Sequence, residues 1–501
     1  VVGVDVIQLA RQQLGLDESL ARVPGLFLQN RFNFSQDLRI SIRGFGARAA
    51  FGIRGVKLFV DGIPATLADG QAGVDAIDLG SAKRIEVLRG PASSLYGSAT
   101  GGVIHITSED PPEDPFAEAR VSFGSDGFGK HQLKAGASAD GLGILVNAAY
   151  FSLDGYREQN VARGSSLNGV LKWQIGDDER LLVAFNAVDA PWAGDPGGLN
   201  RVDSREDRTG ARAANEMFDA GESLDQQRLG AVYERTLDEV HHVRVRGYAV
   251  TRDFANRLPF TSGGTVQFDR FFGGGGLQYT YTGSDVWNVT VGFDVDAQRD
   301  DRERFDNLMG DRGAKTLDQE EDVTSYGIYG LAEFALGHDV TLSMGGRYDR
   351  VEFEVDDAFL ADGDGSGDID FDHFSPSATL LWRPIPDFAV YASVSTSFET
   401  PTTTEFANPA GGGFNTALDE QRATNYEIGV RGAGPLALQY EAAVFRIDLE
   451  DELVPFELAS QPGRRFFRNS GSSTREGLEL AASIEPIDGL VASVAYTYSD
   501  F

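Results

Sequence analysis

The sequence predicts a membrane all-β protein in which a large antiparallel transmembrane β-barrel follows a small N-terminal α+β unit. Apolar and polar residues alternate with a period of two along most of the chain after Pro112, the pattern of strands with two different faces. The connections between these segments alternate between short and long, as in outer-membrane barrels. No apolar run reaches the ~18 residues of a membrane helix, so strands remain as the way to cross a bilayer.

The N-terminal unit ends at the Pro111-Pro112 pair, which divides the chain into residues 1–112 and residues 113–501. One helix is expected at residues 16–22, because Pro24 and Gly25 stop a helix soon afterwards. Short strands are expected at residues 38–43, 56–60, 84–88 and 102–107. This mixture of elements predicts the α+β unit.

Residues 287–298 show the alternation of the second part most clearly. Six apolar residues fall on one side of this segment and six small or polar residues on the other: Trp287, Val289, Val291, Phe293, Val295 and Ala297 against Asn288, Thr290, Gly292, Asp294, Asp296 and Gln298. The pattern recurs at residues 478–484 and 490–498. Each segment therefore predicts a strand with one apolar and one polar face.

The connections distinguish a membrane barrel from a soluble β protein, which would show the same alternation. Short connections are expected at residues 176–178, 236–239, 282–285, 337–339, 383–387, 432–435 and 486–489. Long ones are expected at residues 189–222, 302–318, 357–370, 400–422 and 450–473. Many strands also exceed the ~5–6 residues usual in soluble sheets. Turns at one end and loops at the other predict an outer-membrane barrel.

The number of barrel strands bears on where the chain ends. The pattern yields about 17 strands, whereas barrels of this class have an even number and no open edge. The alternation is still in progress at Phe501. We therefore expect further strands beyond Phe501.

Composition excludes several classes of function. The chain has 44 Lys+Arg and 76 Asp+Glu, a net charge of −32, whereas a nucleic-acid-binding protein needs a basic surface. The acidity suits a solvated surface or one exposed to cations. The absence of cysteine excludes thiolate metal sites and Cys nucleophiles. No nucleophile-elbow, phosphate-loop or His-Glu-x-x-His motif is present, so we do not expect an enzyme.

Three N-terminal stretches carry a resemblance to a known family. They read ISIRGFG at residues 40–46, VKLFVDGIP at residues 56–64 and IEVLRGPASSLYGS at residues 85–98, the last continuing as GGVIHIT at residues 101–107. Together they resemble the plug domain of TonB-dependent outer-membrane receptors. The barrel stretch at residues 395–408 is also similar to this family. The detail around residues 45–71 is closest to ferric-citrate-receptor-like members.

The resemblance implies an architecture and a location. Residues 1–112 would be the plug domain, and residues 113–501 an incomplete part of a barrel of about 22 strands, wide enough to need a plug. Such a barrel crosses the outer membrane of a Gram-negative bacterium many times and contacts its lipid. Residues 1–8 already match the start of the plug, so the TonB box is expected upstream of them.

The resemblance also implies a function. It predicts active import of a scarce nutrient, most simply a ferric chelate such as a siderophore or ferric citrate, energised by the TonB–ExbB–ExbD complex. Iron would enter as part of the transported chelate, and no other cofactor is expected. An importer of carbohydrate, cobalamin or peptide would share the whole architecture and stays open as the alternative. A passive porin would lack the N-terminal unit.

Four charged residues match the positions at which the family locks its plug. Arg43 and Arg89 correspond to two plug arginines, and Glu427 and Glu479 to two barrel glutamates. A guanidinium offers a rigid fork to a carboxylate, and a partly buried charge must be paired. The alternative is a set of unrelated lumen charges.

Ligand contacts are expected in two places. The plug apex loops at residues 46–54 and 66–71 offer Arg48, Phe51, Arg54, Asp69 and Gln71. The long connection at residues 190–222 offers an aromatic residue and several cations, namely Trp192, Arg201, Arg205, Arg208 and Arg212. Cations would suit an anionic ferric chelate. The alternatives are loop packing for the first set and a solvated loop for the second.

One stretch resembles a calcium-binding loop. Residues 362–370 place oxygen ligands at Asp362, Asp364, Ser366 and Asp368, as in the first positions of an EF-hand loop. The twelfth position is His373 and not the usual bidentate Glu. The pattern predicts a weak structural calcium site or, alternatively, a flexible acidic loop.

Overall fold

The computed structural model describes residues 1–3, 7, 11–30, 32–49, 52–409, 414–459 and 461–501. Residues 1–108 form a domain that we call the plug, and residues 116–500 form a wall of strands around it that we call the barrel. The described part of the plug contains seven strands and two short helices: β1 (Val2–Gly3), α1 (Asp17–Leu20), β2 (Leu26–Gln29), β3 (Arg39–Ile42), β4 (Val56–Val60), β5 (Ile63–Pro64), β6 (Ala82–Arg89), α2 (Ser93–Tyr96) and β7 (Gly102–Ser108).

The plug is organised around one sheet of order β1-β6-β7-β4-β5, beside which β2 and β3 form a separate antiparallel pair. Strand β4 runs parallel to β7, and the other pairs are antiparallel. The main core of the plug is aliphatic and includes Ile40, Leu58, Ile85 and Ile104, none of which is exposed. These apolar residues supply the driving force for the fold of the plug.

The predicted elements of the plug are confirmed. Strand β4 coincides with the prediction, and β3, β6 and β7 differ from it by one or two residues at their ends. The predicted helix at residues 16–22 is shorter, since only Asp17–Leu20 is helical. Strands β1, β2 and β5 and helix α2 were not predicted, because two to four residues carry too little periodicity to be recognised.

The barrel contains 17 strands in the described part of the chain: β8 (Phe116–Phe123), β9 (Gly129–Ala139), β10 (Leu142–Leu153), β11 (Ala162–Ile175), β12 (Glu179–Gly194), β13 (Gly221–Thr236), β14 (His241–Arg257), β15 (Thr265–Tyr281), β16 (Trp287–Leu308), β17 (Asp311–Gly337), β18 (Val340–Asp357), β19 (Gly367–Ile385), β20 (Phe388–Glu399), β21 (Gln421–Gly434), β22 (Leu438–Leu458), β23 (Gln461–Ile487) and β24 (Leu490–Asp500). The predicted count of about 17 is thus confirmed.

The barrel strands follow one another in chain order around the plug, and the order is that of a barrel. Every consecutive pair is antiparallel; the register of β14 and β15, for example, runs without a break from His241–Tyr281 to Arg257–Thr265. Among the described residues, registers are defined for all consecutive pairs from β8 to β24 and not for β24 with β8. Two short helices, α3 (Asp203–Glu206) and α4 (Ala213–Met217), and one 3₁₀ turn (Thr403–Phe406) lie in the connections.

The two faces of the wall are arranged opposite to those of a soluble sheet. On β16 the polar residues Asp296, Gln298 and Asp300 are buried against the interior, whereas Val291 and Phe293 are each 45% exposed on the outside. A soluble sandwich buries its apolar face instead. An apolar outer face with a polar, filled interior is the arrangement of a transmembrane barrel, so the predicted fold class is confirmed.

Aromatic residues at one end and carboxylates at the other mark the limits of the apolar band on the outer face. Near the short turns it carries aromatic residues, including Trp173, Trp287 and Trp382, each at least 40% exposed. Near the long connections seven carboxylates stand in directly opposed register on neighbouring strands: Asp189, Asp225, Asp253, Asp269, Asp301, Glu320 and Asp356. On β16 the band runs for about ten residues, roughly 33 Å along a strand and about 25 Å across a bilayer at the usual tilt.

The short and long connections lie at opposite ends, which we call the turn end and the loop end. Predicted loops at residues 189–222, 357–370 and 400–422 are present in reduced form, between β12 and β13, β18 and β19, and β20 and β21. The predicted loops at residues 302–318 and 450–473 are wrong. There β16 pairs with β17 up to Leu308, and β22 with β23 up to Leu458, because backbone pairing continues beyond the apolar band.

The helices are short throughout the described residues. None of them is long and apolar enough to cross a membrane.

Candidate functional site

Arg43 is held at the interface between the plug and the barrel by an unusual backbone turn. It follows β3 directly and has a φ of 51°, and Gly44 after it has a φ of 82°. Left-handed φ values cost little for glycine and more for a residue with a side chain. The Arg43 amide donates a hydrogen bond to the carbonyl of Gly25. The turn reverses the chain and directs the guanidinium towards the barrel wall.

The guanidinium of Arg43 binds both predicted barrel glutamates. Its Nε and Nη2 atoms each donate to Glu479 over 2.9 Å, and Nη1 donates to Glu427 over 2.5 Å. The group also lies 4.2 Å from the ring centroid of Phe445, within cation–π range. Tyr391 donates its hydroxyl to the second oxygen of Glu427.

Arg89 completes the network from the end of β6. One of its terminal nitrogens donates to Glu479 over 2.9 Å and the other to Glu441 over 2.5 Å. Glu479 therefore accepts from both plug arginines and is 1% exposed. The structure brings together all four residues that the resemblance selected and adds Glu441, which was not predicted.

Two glycines make room for this network. A Cβ atom at Gly25 would collide with Glu479 Oε1, and one at Gly90 would lie 2.8 Å from Arg43 Nη1. Both contacts are shorter than a real Cβ atom tolerates. The backbone of the plug can therefore approach the ion pairs only because these positions lack side chains.

The charges of the network stabilise each other. Burial alone would lower the pKa of Arg43, but the carboxylates of Glu479 and Glu427 outweigh it and hold that pKa above its usual range. The guanidinium therefore remains charged at every accessible pH. A buried, fully paired network of this kind attaches the plug to the wall, because losing one partner would leave an uncompensated charge.

A second ionic cluster joins the plug to the wall near the loop end. Arg48 binds Glu399, at the end of β20, over 2.6 Å and also binds Glu405 in the 3₁₀ turn. Burial opposes the charge of Arg48, but the two glutamates raise its pKa above the ordinary value. Thr100 of the plug donates to Glu399 over 3.0 Å. The start of the connection between β20 and β21 is thus attached to the plug.

Arg54 lies in the same cluster and is 2% exposed. It donates to the carbonyl of Thr400 over 2.6 Å and to that of Asp69 over 3.0 Å. Burial raises the pKa of the Asp69 carboxyl, and this carboxyl caps the amide of Gln71.

The apex residues chosen as ligand contacts are thus engaged by the protein itself. Arg48, Arg54 and Asp69 bind groups of the protein itself, as in the alternative of loop packing. The physical reason is that the acidic residues of the connection after β20 fold down onto these cations. Their role as ligand contacts stays a prediction. Gln71 is half-buried beside them, and Phe51 lies outside the described residues.

The residues of the predicted ligand loop between β12 and β13 differ in their exposure. Trp192 is half-buried, with Arg257 stacked 4.8 Å from its ring centroid. Arg201 and Arg205 are exposed near α3, and Arg208 and Arg212 are also exposed. The cation recorded against the Trp192 ring is thus Arg257 of β14, and the role of the four loop arginines stays a prediction.

The predicted calcium loop is divided between a connection and a strand. Asp362, Asp364 and Ser366 lie in the connection after β18, where Asp364 caps the amide of Ser366. Asp368 belongs to β19 and stands opposite Glu354, so the four residues do not lie in one connection, and the calcium site stays a prediction. Within the residues that the structure describes, no group of three or more His, Cys, Asp or Glu is placed to hold a metal ion.

Sequence reasoning missed the barrel partners of the second cluster. Glu399 and Glu405 both fall within residues 395–408, which were selected only as a family-like stretch. Two glutamates close to Pro401 could have marked this stretch as a candidate site. Nothing in the neighbouring sequence indicated that their partner would be Arg48, about 350 positions earlier.

Two family models match the chain. The model described as "TonB dependent receptor-like, beta-barrel" matches residues 149–501. The model described as "TonB-dependent Receptor Plug Domain" matches residues 1–103. The second match covers the plug seen in the structure up to β7, and the first begins within β10 of the barrel.

Individual relatives agree with these matches. The ferrioxamine B receptor of Salmonella typhimurium is 26% identical, over 96% of this chain and 71% of the relative. The solved structure of the ferric citrate transporter FecA in its unliganded form has a TM-score of 0.81 at 20% identity, covering 97% of this chain and 75% of that one. The ferric yersiniabactin uptake receptor FyuA from Yersinia pestis has a TM-score of 0.79 at 18% identity, with coverages of 97% and 76%.

Proposed function

The chain belongs to the TonB-dependent receptor family, and on that premise we propose that it actively imports a ferric chelate, a siderophore complex or ferric citrate. The import would take place across the outer membrane of a Gram-negative cell. The barrel would span that membrane through its apolar outer band, with the loop end facing outwards.

One observation carries this proposal: the polar lumen of the barrel is filled by a plug that is ion-paired to the wall. Arg43 and Arg89 bind Glu479, and Arg48 binds Glu399. Breaking a buried pair costs about 3–5 kcal/mol, so several pairs together make spontaneous opening rare. A passive pore does not need this arrangement, whereas a gated importer does.

Opening such a gate needs an external source of energy. In this family TonB supplies it, and we propose that the ExbB–ExbD complex drives TonB for this protein as well. Within the described residues, β1 pairs with β6 at Val2 and Gly3, so the N-terminal segment is joined to the central sheet of the plug. A pull on the N-terminal segment would therefore act directly on that sheet.

The substrate class is supported by the relatives. A ferrioxamine B receptor, a ferric citrate transporter and a ferric yersiniabactin uptake receptor are all named for iron complexes. The alternative is a carbohydrate, cobalamin or peptide substrate, and the experiment below distinguishes the two.

Ligand binding is the first test. We would fold the full chain in detergent and titrate it with ferric citrate, a ferric hydroxamate and a ferric catecholate while recording Trp fluorescence. Trp192 lies at the loop end, whereas Trp173, Trp287 and Trp382 are exposed on the outer face. A ligand at the loop end should therefore change the signal of the wild type and not that of Trp192→Phe.

Transport is the second test. Cells that produce the protein should accumulate iron from the bound chelate, and loss of TonB or of the proton gradient should abolish the uptake. Absence of binding by every ferric chelate, in a protein whose barrel is folded, would contradict the iron proposal. Saturable binding of a sugar, cobalamin or peptide would then establish the alternative substrate.

A further inference from the structure

A cavity of about 170 Å³ lies between the plug and the barrel wall in the loop-end half of the molecule. The plug contributes residues around Phe34 and Asp75, and the wall contributes residues of β9 to β13. None of the residues predicted to bind ligand lies in its lining. The cavity therefore needs its own explanation.

The wall of this region carries a ladder of three amides. Asn147 of β10 stands opposite Asn168 of β11, and Asn168 stands opposite Asn186 of β12. Directly opposed residues of neighbouring strands have side chains on the same face and within contact distance. The three amides therefore form consecutive rungs on the inner face of the wall.

The first rung is fully engaged by the protein. The oxygen of Asn147 accepts from Gln132 over 2.9 Å, and its nitrogen donates to both oxygens of Asp78 in the plug. This rung is attached to the plug and is not among the residues that line the cavity.

The next two rungs are incompletely engaged. Asn186 donates through Nδ2 to Oδ1 of Asn168, which leaves Nδ2 of Asn168 and Oδ1 of Asn186 buried and without partners in the described part of the chain. Asn168 is only 7% exposed and lines the cavity. Either orientation of the two amides leaves one donor and one acceptor free.

A free donor beside a free acceptor favours ligand groups that can both accept and donate a hydrogen bond. A hydroxyl group or a secondary amide both accepts and donates, so either satisfies the pair, whereas a carboxylate only accepts. Four carboxyl groups and two cations line the same cavity: Asp17, Asp75, Asp78 and Glu222 against Lys130 and Arg163. This excess of carboxyl groups disfavours an anionic group. Phe34 and Phe151, whose ring centroids lie 5.4 Å apart, offer apolar contact to the adjoining methylene groups.

The size of the cavity limits what it can hold. A volume near 170 Å³ equals about five water molecules at ~30 Å³ each, whereas a site for a whole drug-sized ligand has ~300–1,000 Å³. One flexible arm of a chelator fits, and a complete ferric complex does not.

We propose that the Asn168–Asn186 pair and its cavity bind one uncharged, hydroxyl- or amide-bearing arm of the imported chelate. The receptor then prefers chelators with neutral arms to chelators whose arms end in carboxylates. This inference rests on the proposed function, because it names the chemistry of the ferric chelate.

Two ferric complexes and four proteins test the inference. The probes are a ferric trihydroxamate with amide-containing linkers and ferric citrate, titrated against the full-length wild type, Asn168→Ala, Asn186→Ala and Asn425→Ala. Asn425 is the matched control, because it is a buried amide with an unpartnered oxygen on β21, outside this cavity. Barrel folding is verified for each variant by its heat-dependent mobility in gels.

The wild type should bind the trihydroxamate more tightly than ferric citrate. Either cavity variant should weaken trihydroxamate binding about tenfold, the usual effect of losing a hydrogen bond to a buried group. Asn425→Ala should leave it unchanged. Tighter binding of ferric citrate by the wild type, or equal effects of all three substitutions, would overturn the inference but leave the proposed function intact.

Two further outcomes are decisive. Unchanged trihydroxamate binding in Asn168→Ala and Asn186→Ala would mean that water alone satisfies the pair, and the inference would fail. Absence of binding of both ferric probes and of a ferric catecholate would remove the proposed function, and this inference with it.

Discussion

Arg43 and Glu479 form a two-point ion pair in which Nε lies 2.9 Å from Oε1 and Nη2 lies 2.9 Å from Oε2. Both side chains are 1% exposed. The pair joins the plug to β23, and Arg89 binds the same carboxylate. Glu479 is therefore the shared acceptor of the plug arginines, whereas Glu427 binds Arg43 alone among the described plug residues.

Replacing Glu479 should loosen the plug more than replacing Glu427. Glu479→Ala leaves two guanidiniums without their shared carboxylate, and losing one partner of a buried pair costs about 3–5 kcal/mol. Glu427→Ala leaves Arg43 with its two bonds to Glu479 and should have a smaller effect. Passive leak of a small solute through the protein in liposomes measures both.

Glu441→Ala provides the matched control for this comparison. Glu441 binds Arg89, but its side chain is 45% exposed, and an exposed pair contributes little. The permeability of liposomes that contain Glu441→Ala should stay close to that measured with the wild type. Equal leak from Glu479→Ala and Glu441→Ala would contradict the central role of Glu479.

Replacing Glu399 should release the connection between β20 and β21 from the plug. Glu399→Gln keeps the shape of the side chain but removes the charge that Arg48 and Arg54 face. Amide hydrogen exchange in residues 400–409 should rise about tenfold, because one charge-assisted bond contributes roughly 1.5–3 kcal/mol.

Glu420→Gln is the control at the other end of the same connection. Among the described residues, the ion pairs of Glu420 are with the barrel residues His373 and Arg422. Exchange in residues 400–409 should therefore remain at the wild-type rate in this variant. A similar increase in both variants would indicate general loosening of the loop and not a specific attachment to the plug.

Lower pH should tighten the plug around Asp37. Burial, reinforced by the charge of Asp75, raises the pKa of Asp37 to about 7 despite the opposing charge of Arg252. The unfolded value is about 3.9, so between pH 4 and pH 7 the folded state binds the proton more tightly. The contribution of Asp37 to stability is therefore largest below pH 4 and falls as the pH rises to 7.

Hydrogen exchange of residues 32–38 at pH 5.5 and pH 8 measures this effect after correction for the intrinsic rates. The wild type should be better protected at pH 5.5. Asp37→Asn, which fixes the neutral form, should show equal protection at both values. Persistence of the pH dependence in that variant would assign it to another group.

Arg157 should hold the long connection between β12 and β13 in place. Its guanidinium donates to three loop carbonyls, those of Pro196, Gly197 and Gly210, over 2.5–3.2 Å. Arg157→Ala removes all of these bonds. Trypsin should then cleave about tenfold faster at the exposed arginines of the loop, because local opening costs less free energy.

Mass spectrometry of the peptides that end at Arg201 and Arg205 gives the rates. Arg163→Ala is the control, since Arg163 is exposed at the start of β11. It should leave cleavage of the loop unchanged. No acceleration in Arg157→Ala would mean that the loop is held by its other contacts.

The sequence was most informative where structure is determined locally. The alternation at residues 287–298 predicted β16, and the motif around Val56 predicted β4, because the period of a strand depends only on its own residues. Loop predictions failed at residues 302–318 and 450–473, where polar residues resemble a loop but pair across strands. Backbone pairing, and not side-chain polarity, decides whether such a segment is a strand.

The sequence predicted some residues of the site but not their partners, because the contacts between them are not local. The resemblance selected Arg43, Arg89, Glu427 and Glu479, and the structure places them in one network. Arg48 and Arg54 carried the expected charge, but their partners lie about 350 positions later in the chain. No local pattern identifies a partner at that distance.

By itself the sequence determined that the strands have two unlike faces, that turns and longer connections alternate, and that a separate domain precedes the barrel. Only the tertiary structure decided that the apolar face points outwards, that Arg43 meets a glutamate 436 positions away, and that Asn168 and Asn186 face a cavity with free polar atoms. The alternation is a property of neighbouring residues. Contacts across the lumen arise only when the wall curves around the plug, and that curvature depends on the whole set of strands.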